Sequence, residues 1–177
     1  MKKKTLALVL ALTLLVAGVV GGTLAWLTDQ TAEVKNTFTV GDINIGLTET
    51  TADYKMVPGN TIAKDPTVTV KANSEACWLF VKVTESADLK DFITYAIAEG
   101  WTALPGVDGV YYREVPASAA DQTFSVLAGD AVTVKSDVTR TMLETAKTDA
   151  PTLTFQAYAI QKDHFATADA AWVEVGK

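Results

Sequence analysis

The stretch LFVKVT, residues 79–84, decides the fold class because its apolar and polar side chains alternate with a period of two. Successive side chains of a strand point to opposite faces of a sheet, so this pattern predicts a strand with one face in a core. Comparable strand patterns recur along the chain, in residues 67–71, 107–115, 123–127, 131–138 and 153–160. Together with a further pattern in residues 38–47, they predict about seven or eight strands.

Turn signals separate these predicted strands. Between Val40 and Ile43 the alternation changes phase, which predicts a bulge or a tight turn at Gly41. Pro58-Gly59 is a turn dipeptide, and Asp108-Gly109 is the favoured pair for a two-residue type I′ hairpin turn. The chain therefore has the pattern of many short strands with irregular connections.

A helical pattern interrupts the strands between Asp88 and Gly100. Apolar residues recur there at the spacing of one helix face, namely Leu89, Phe92, Ile93, Ala96 and Ile97. Asp88 can cap the start of this helix and Gly100 can end it. Weaker helical patterns lie near residues 141–147 and 164–170. We therefore predict a mainly all-β protein, a two-sheet sandwich with one or two short helices.

The N-terminal segment predicts export. Three lysines at residues 2–4 precede an uncharged run at residues 5–28, which is the order found in a secretory signal. Signal peptidases require small side chains three residues and one residue before the cut, and Thr23 and Ala25 satisfy this, so the predicted cut lies between Ala25 and Trp26. The alternative is an uncleaved membrane anchor, because 24 uncharged residues are about enough to cross a bilayer.

Charge and length restrict what the mature protein can do. Removal of residues 1–25 takes away three lysines and no acidic residue, which changes the formal net charge from −6 to −9. Such an acidic chain repels the phosphates of nucleic acid and of anionic lipid. No nucleic-acid partner is therefore expected, and membrane contact is expected only through an uncleaved signal. The 152 residues that remain are enough for one domain.

Cys77 is the only cysteine, so stability has to come from a core rather than from an internal disulfide. It lies in an apolar strand pattern, and we expect a small buried hydrophobe rather than a reactive thiol or an intermolecular crosslink. The tryptophans are expected to pack without contacting a ligand; they are Trp26, Trp78, Trp101 and Trp172.

No catalytic residue, metal site or cofactor is predicted. A zinc peptidase site usually needs two histidines and a general base, but His164 is the only histidine, and we expect it to be exposed at a helix start. His164 would also be the only base for a serine triad, and no G-x-S-x-G elbow is present. The carboxylates are scattered, and Asp88 with Asp91 is explained by the start of a helix. Calcium loops of the D-x-[DN]-x-[DN]-G type are absent from the sequence.

Three motifs occur in a fixed order: GTLAWLTDQ at residues 22–30, NTFTVGDINIGLTE at residues 36–49 and PGNTIAKDPTV at residues 58–68. In this order they resemble the secreted proteins TasA and camelysin. The resemblance resumes at Val110-Tyr111-Tyr112 and at FQAYAIQKDHF, residues 155–165, followed by Ala171-Trp172. It covers about half of the chain.

The resemblance implies a jelly-roll sandwich at residues 37–177, preceded by a signal helix at residues 1–25 that a peptidase of the SipW type removes. It also implies that copies assemble into biofilm-matrix fibres outside a Gram-positive-type bacterium, with an accessory matrix protein as a possible partner. In such fibres the mature N-terminal arm, here residues 26–36, adds as a strand to the next copy. The donor contacts would be Trp26, Leu27, Thr28, Ala32 and Val34. The alternative is that this arm is only a free terminus.

Two other functions compete with fibre formation. Camelysin is described as a metallopeptidase, so a cell-surface metallopeptidase is one of them, and the single histidine argues against it. The other is a monomeric accessory or adhesin domain that binds a fibre without forming one. Only assembly behaviour separates this last possibility from a fibre subunit.

Overall fold

Ten strands in three antiparallel sheets dominate the computed structural model, which describes residues 42–50 and 54–175. These residues belong to one unit, Val40–Lys177. The predicted signal, its cut between Ala25 and Trp26, the arm and the predicted bulge at Gly41 lie outside the described residues.

The strands are β1 (Ile45–Thr48), β2 (Thr61–Ala63), β3 (Thr67–Val70), β4 (Cys77–Glu85), β5 (Ile93–Thr94), β6 (Thr102–Ala103), β7 (Val110–Val115), β8 (Gln122–Ser125), β9 (Ala131–Val134) and β10 (Leu153–Gln161). The α-helices are α1 (Leu89–Phe92), α2 (Arg140–Ala146) and α3 (Ala168–Val175), and short 3₁₀ helices span Ala128–Asp130 and Lys162–His164.

Hydrogen bonding orders the strands β10-β4-β7-β6 in a four-stranded sheet, β1-β3-β8 in a second sheet and β2-β9-β5 in a third. The mainly β fold class is confirmed, although three sheets are present where the sequence suggested two. The extra sheet arises because β2, β5 and β9 are short strands that pair only with one another in the described part of the chain.

β4 is buried on both faces because it is central in the four-stranded sheet and covered on both sides. Leu79 and Val81 are fully buried on the inner face, where they belong to one cluster with Val68 and the other apolar residues of β3. On the outer face Phe80, also fully buried, packs in a second cluster with residues of α3. Burial of each such apolar side chain contributes on the order of 1.5–3 kcal/mol to the free energy of unfolding.

The alternation predicted for residues 153–160 is confirmed. The apolar residues of one face of β10 all pack against the inner core, namely Leu153, Phe155, Ala157 and Ala159. β10 pairs with β4 along its whole length, from Leu153 opposite Glu85 to Gln161 opposite Cys77. The burial predicted for Cys77 is also confirmed, since its side chain is inaccessible to solvent.

α3 covers the outer face of the four-stranded sheet. Its buried residues Ala168 and Ala171 face this sheet, and the ring of Trp172 lies 5.2 Å from that of Phe80 and 5.4 Å from that of Tyr158. The hydroxyl of Thr167 accepts a hydrogen bond from a backbone N–H of the first turn at 3.3 Å, which caps the helix. The outer face of β10 is therefore held by a packed aromatic layer.

The long helix predicted between Asp88 and Gly100 is wrong beyond Phe92. Only α1 is helical; Ile93 then becomes extended and pairs with Val134, and Ile97 forms a bridge to Leu127. The apolar residues have the spacing of a helix face, but the β-branched side chains of this segment also favour a strand. Pairing with β9 stabilises the strand, so the chain is extended there. Asp88 makes no side-chain cap to the helix.

The two-residue turn predicted at Asp108-Gly109 is also wrong. β6 and β7 do form a hairpin, with Ala103 opposite Tyr111, so the connection runs from Leu104 to Gly109. A type I′ turn needs a positive φ at both central residues, and among the non-glycine residues of the described part only Asn73 and Asp130 have one. Asp108-Gly109 does lie in the connection between the two strands, but this connection is longer than two residues.

The two weaker helical patterns have different outcomes. α2 confirms the helix predicted near residues 141–147, and the Thr139 hydroxyl caps it by accepting from the Met142 N–H at 3.3 Å. The third helix begins at Ala168, later than predicted, and His164 ends a 3₁₀ turn instead, where its side chain is exposed.

Candidate functional site

β10 forms one edge of the four-stranded sheet, and β4 is the strand with which it pairs in the described part of the chain. Just beyond its two ends, the Lys162 N–H donates to the Ala76 carbonyl at 2.9 Å and the Ser86 N–H donates to the Thr152 carbonyl at 2.9 Å. Antiparallel pairs exchange hydrogen bonds at every second residue. The even-numbered residues of β10 therefore bond to β4, and the odd-numbered residues turn their N–H and C=O groups toward the outer edge.

β1 presents a similar edge. The Lys71 N–H donates to the Asn44 carbonyl at 2.8 Å, so by the same alternation Asn44 and Gly46 face β3, whereas Ile45 and Leu47 turn their backbone groups away from it. β1 lies alongside β10 with Cα atoms within 8 Å, yet no ladder of hydrogen bonds joins the two strands in the described residues. We call the boundary between them the β1–β10 seam.

Two surface cavities open along this seam, one at each end of β10. A cavity of about 250 Å³ lies where Leu47 and Glu49 meet Leu153 and Phe155. The other, of about 380 Å³, lies where Ile43 meets Ala159 and its neighbours up to Phe165. Leu47, which lines the smaller cavity, is 36% exposed. The seam therefore combines unpaired backbone with partly exposed apolar side chains.

A buried charge closes one end of the seam. Lys64 Nζ lies 2.5 Å from Glu49 Oε1, and the Tyr54 hydroxyl donates to the same oxygen at 2.6 Å. The ammonium also lies 4.7 Å from the ring centre of Tyr54 and 5.4 Å from that of Phe155. Burial, together with the hydrogen bond to Glu49, raises the pKa of Tyr54 above its ordinary value.

A separate concave surface lies between α1 and the four-stranded sheet. This cleft has a volume of about 410 Å³, and both Tyr95 and Tyr111 line it, so we call it the Tyr95–Tyr111 cleft. The Tyr95 hydroxyl donates a hydrogen bond to Glu85 Oε1. Burial, followed by this bond and the charge of Glu85, raises the pKa of Tyr95. No sequence pattern indicates the cleft, because its walls come together only in the folded chain.

The residues weighed for catalysis are not brought together. His164 lies near one end of the seam, and no hydrogen bond joins it to a serine within the described ranges. Ser74 is buried, where its hydroxyl accepts a hydrogen bond from the Asn44 N–H at 3.2 Å. Among the described residues no group of three or more histidine, cysteine or carboxylate side chains could hold a metal ion.

The predicted arm residues Trp26, Leu27, Thr28, Ala32 and Val34 lie outside the described residues. Trp78 and Trp101 pack as expected, and their indole N–H groups donate to the carbonyls of Phe165 at 3.0 Å and Ser125 at 2.8 Å. No helix within residues 42–50 and 54–175 is long and apolar enough to span a bilayer.

Comparison with known proteins adds no relative: no family model matches the chain, and neither the curated proteins nor the solved structures include a significant match.

Proposed function

We propose that this chain is an exported structural protein, a jelly-roll-type sandwich whose copies assemble by strand addition into extracellular fibres. In this proposal residues 26–34 of the arm of one copy pair with the outer edge of β10 in the next copy. The observation that carries it is the row of outward backbone groups on β10, which meets no partner strand in the described part of the chain. Such an edge is a template for another strand.

The lengths of donor and acceptor agree. β10 has nine residues, and so has the segment 26–34, which when extended covers about 30 Å. Five residues of β10 turn their backbone groups outward, namely Leu153, Phe155, Ala157, Ala159 and Gln161. A nine-residue arm is therefore long enough to pair with all of them.

The side chains of the arm also agree with the seam. Alternate residues of an extended arm share one face, and this face includes Trp26, Thr28, Ala32 and Val34. The largest apolar side chains of that face lie at its two ends, and the seam has cavities of about 380 and 250 Å³ at the two ends of β10. Thr28, Gln30 and Ala32, which share this face, would lie between the two cavities.

Strand addition at this edge requires β1 to give way. A strand inserted between two others holds them about 9.6 Å apart, whereas Cα atoms of β1 approach β10 within 8 Å. β1 has only four residues and is itself an edge strand, so a shift of a few ångströms affects one short ladder. The added strand would then cover the outer edges of both β1 and β10, so that neither keeps unpaired backbone groups there.

The order of motifs that resembles TasA and camelysin supports export and assembly together. On this proposal a SipW-type peptidase removes residues 1–25, the mature chain begins at Trp26, and the partner of each subunit is a second copy, with an accessory matrix protein as a further partner. N-terminal sequencing of secreted material tests the first step, and a retained lysine-rich terminus contradicts it.

Two deletions of backbone pairing test assembly. The mature chain 26–177 is compared with the chain 35–177 and with Ala157→Pro, which removes one outward N–H of β10 while leaving the ladder to β4 intact. Thr123→Pro is the matched control, because Thr123 turns its N–H outward at the edge of β8 by the same alternation. Circular dichroism verifies folding, and electron microscopy with size exclusion measures assembly.

The expected result is fibres from 26–177 and from Thr123→Pro, and monomers from 35–177 and from folded Ala157→Pro. Equal fibre formation by 26–177 and 35–177 contradicts the donor role of the arm. Fibre formation by Ala157→Pro contradicts the use of β10. A mature chain that stays monomeric at every concentration and pH contradicts the whole proposal and favours an accessory domain.

A further inference from the structure

The Tyr95–Tyr111 cleft exists because α1 ends early. After α1 the chain turns into β5, which pairs with β9, and it then passes Tyr95 on the way to the bridge at Ile97. This path leaves a concavity of about 410 Å³ against the four-stranded sheet, with Leu89, Ile93 and Ile97 contributing apolar lining. The volume lies within the range of about 300–1,000 Å³ that is usual for ligand pockets.

The charges around the cleft differ from those of the whole chain. Lys90 and Lys135 line it together with a single carboxylate, Glu85, whereas the chain as a whole carries a net charge of −6. In the part of the chain that the structure describes, neither lysine has a carboxylate within ion-pair distance. The lining of the cleft therefore carries one more positive than negative charge, although the protein is acidic.

The hydrogen-bonding groups of the cleft are of both kinds. The lysine ammonium groups only donate hydrogen bonds, and Glu85, which already accepts a hydrogen bond from the Tyr95 hydroxyl, can accept more. The partly exposed rings of Tyr95 and Tyr111 offer flat apolar surface between them. A matching ligand has a carboxylate for the lysines, hydroxyl donors for Glu85, and C–H faces that pack on the rings.

We propose that the Tyr95–Tyr111 cleft binds an acidic sugar, that is, a uronate residue within a polysaccharide. The pyranose ring of a uronate carries all three features within a few ångströms. An acidic peptide also carries a carboxylate and N–H donors, but it has no flat C–H face to pack on the rings of Tyr95 and Tyr111. A neutral sugar leaves both lysines unpaired. This site lies on other strands than the β1–β10 seam, so binding does not require assembly.

Binding of three matched probes to the mature chain tests the assignment. The probes are a linear trisaccharide of galacturonic acid, the corresponding trisaccharide of galactose, and triglutamate, measured by isothermal titration calorimetry at low salt. We expect saturable binding of the uronate, weakened at least about tenfold in Lys90→Ala/Lys135→Ala by loss of two charged hydrogen bonds. Tyr95→Phe should weaken it about two- to tenfold through loss of its hydrogen bond to Glu85.

Lys55→Ala/Lys147→Ala changes the net charge equally and is the matched control, because both lysines are exposed and neither lines the cleft. Unchanged uronate binding in this control supports the proposal, and an equal loss assigns the binding to net charge and overturns it. Galactose binding as tight as uronate binding overturns the role of the lysines. Triglutamate binding as tight as uronate binding overturns the sugar in favour of an acidic peptide. No binding of the uronate overturns the proposal outright.

Discussion

Lys64 Nζ lies 2.5 Å from Glu49 Oε1, and the two side chains differ in exposure, 9% for the lysine and 24% for the glutamate. The pair therefore joins a buried cation to an anion that retains more of its hydration. Removing either partner leaves the other charge unpaired, and the cost depends on how well water can reach that charge. This asymmetry makes the two single substitutions distinguishable.

Glu49→Gln is expected to lower the free energy of unfolding by about 3 kcal/mol, because it leaves a buried ammonium without its counter-ion. Lys64→Met is expected to cost only about 1 kcal/mol, since the Glu49 carboxylate is better hydrated and still accepts from Tyr54. Urea denaturation at neutral pH measures both. In the double variant the free energy of unfolding should fall by less than the sum of the two single losses. Equal losses in the two single variants would contradict the conclusion that Lys64 is more deeply buried than Glu49.

Gly109→Ala should destabilise the β6–β7 hairpin strongly. Gly109 has a φ of 71°, and a Cβ there would lie 2.4 Å from the Val83 carbonyl oxygen. The Gly109 carbonyl also accepts a hydrogen bond from the Val83 N–H at 2.7 Å, which holds the two backbones close together. The left-handed backbone and the clash together predict a loss of about 3 kcal/mol. Thermal and urea unfolding measure it.

The control for Gly109 lies in the same loop. Gly106 has a φ of 73°, but a Cβ there would meet nothing within 4 Å, so Gly106→Ala should cost only about 1 kcal/mol for its backbone conformation. If both substitutions cost the same, the close approach of Val83 does not contribute to stability.

The sequence predicts which face of a strand is buried far better than which strand lies at an edge. The alternation of Leu153, Phe155, Ala157 and Ala159 identifies the inner face of β10, because that property is local. Edge position depends on the partner, and the pairing of β10 with β4 joins residues far apart in the sequence, such as Ala157 and Val81, which are 76 positions apart. No local pattern carries that information.

The same reason explains the failed helix and the missed cleft. Leu89 to Ile97 satisfies a helical spacing, but Ile93 gains a partner in Val134 only when β9 is in place. Glu85 and Tyr111 come from β4 and β7 and Tyr95 from the segment after β5, so their convergence follows from tertiary structure. Cys77 was predicted correctly because its apolar neighbours in sequence already indicate a buried strand.

The Cys77 thiol should be unreactive in the folded protein. Burial raises its pKa from 9.0 to about 11, so the reactive thiolate is scarce at neutral pH and the sulfur is inaccessible. Iodoacetamide labelling followed by mass spectrometry should give no adduct at pH 8 without denaturant and complete labelling in urea. Rapid labelling of the folded chain would contradict the burial.

The raised pKa of Cys77 also has a consequence for stability. Folding favours the neutral thiol, so this contribution is fully present below pH 9.0 and is lost as the pH rises toward about 11. Cys77→Ala should therefore unfold with a weaker dependence on pH across this window. An unchanged pH dependence would mean that other groups, such as the tyrosines with raised pKa, account for the alkaline loss.

Arg113 is expected to tolerate a neutral replacement better than a charged one. Its guanidinium lies 3.8 Å from the ring centre of Phe124 and 5.3 Å from that of Trp101, and its Nε is buried without a hydrogen-bond partner. Burial removes water from the guanidinium, which disfavours its charged form and lowers the pKa of Arg113.

Arg113→Met gives up the cation–π contact but removes the unpaired donor, so the two effects should offset to within about 1 kcal/mol. Arg113→Lys keeps a charge that must be desolvated and loses the flat group that stacks, so it should cost about 2 kcal/mol. Urea unfolding of the two variants measures the order, and a larger loss for methionine than for lysine would mean that the positive charge itself stabilises this part of the fold.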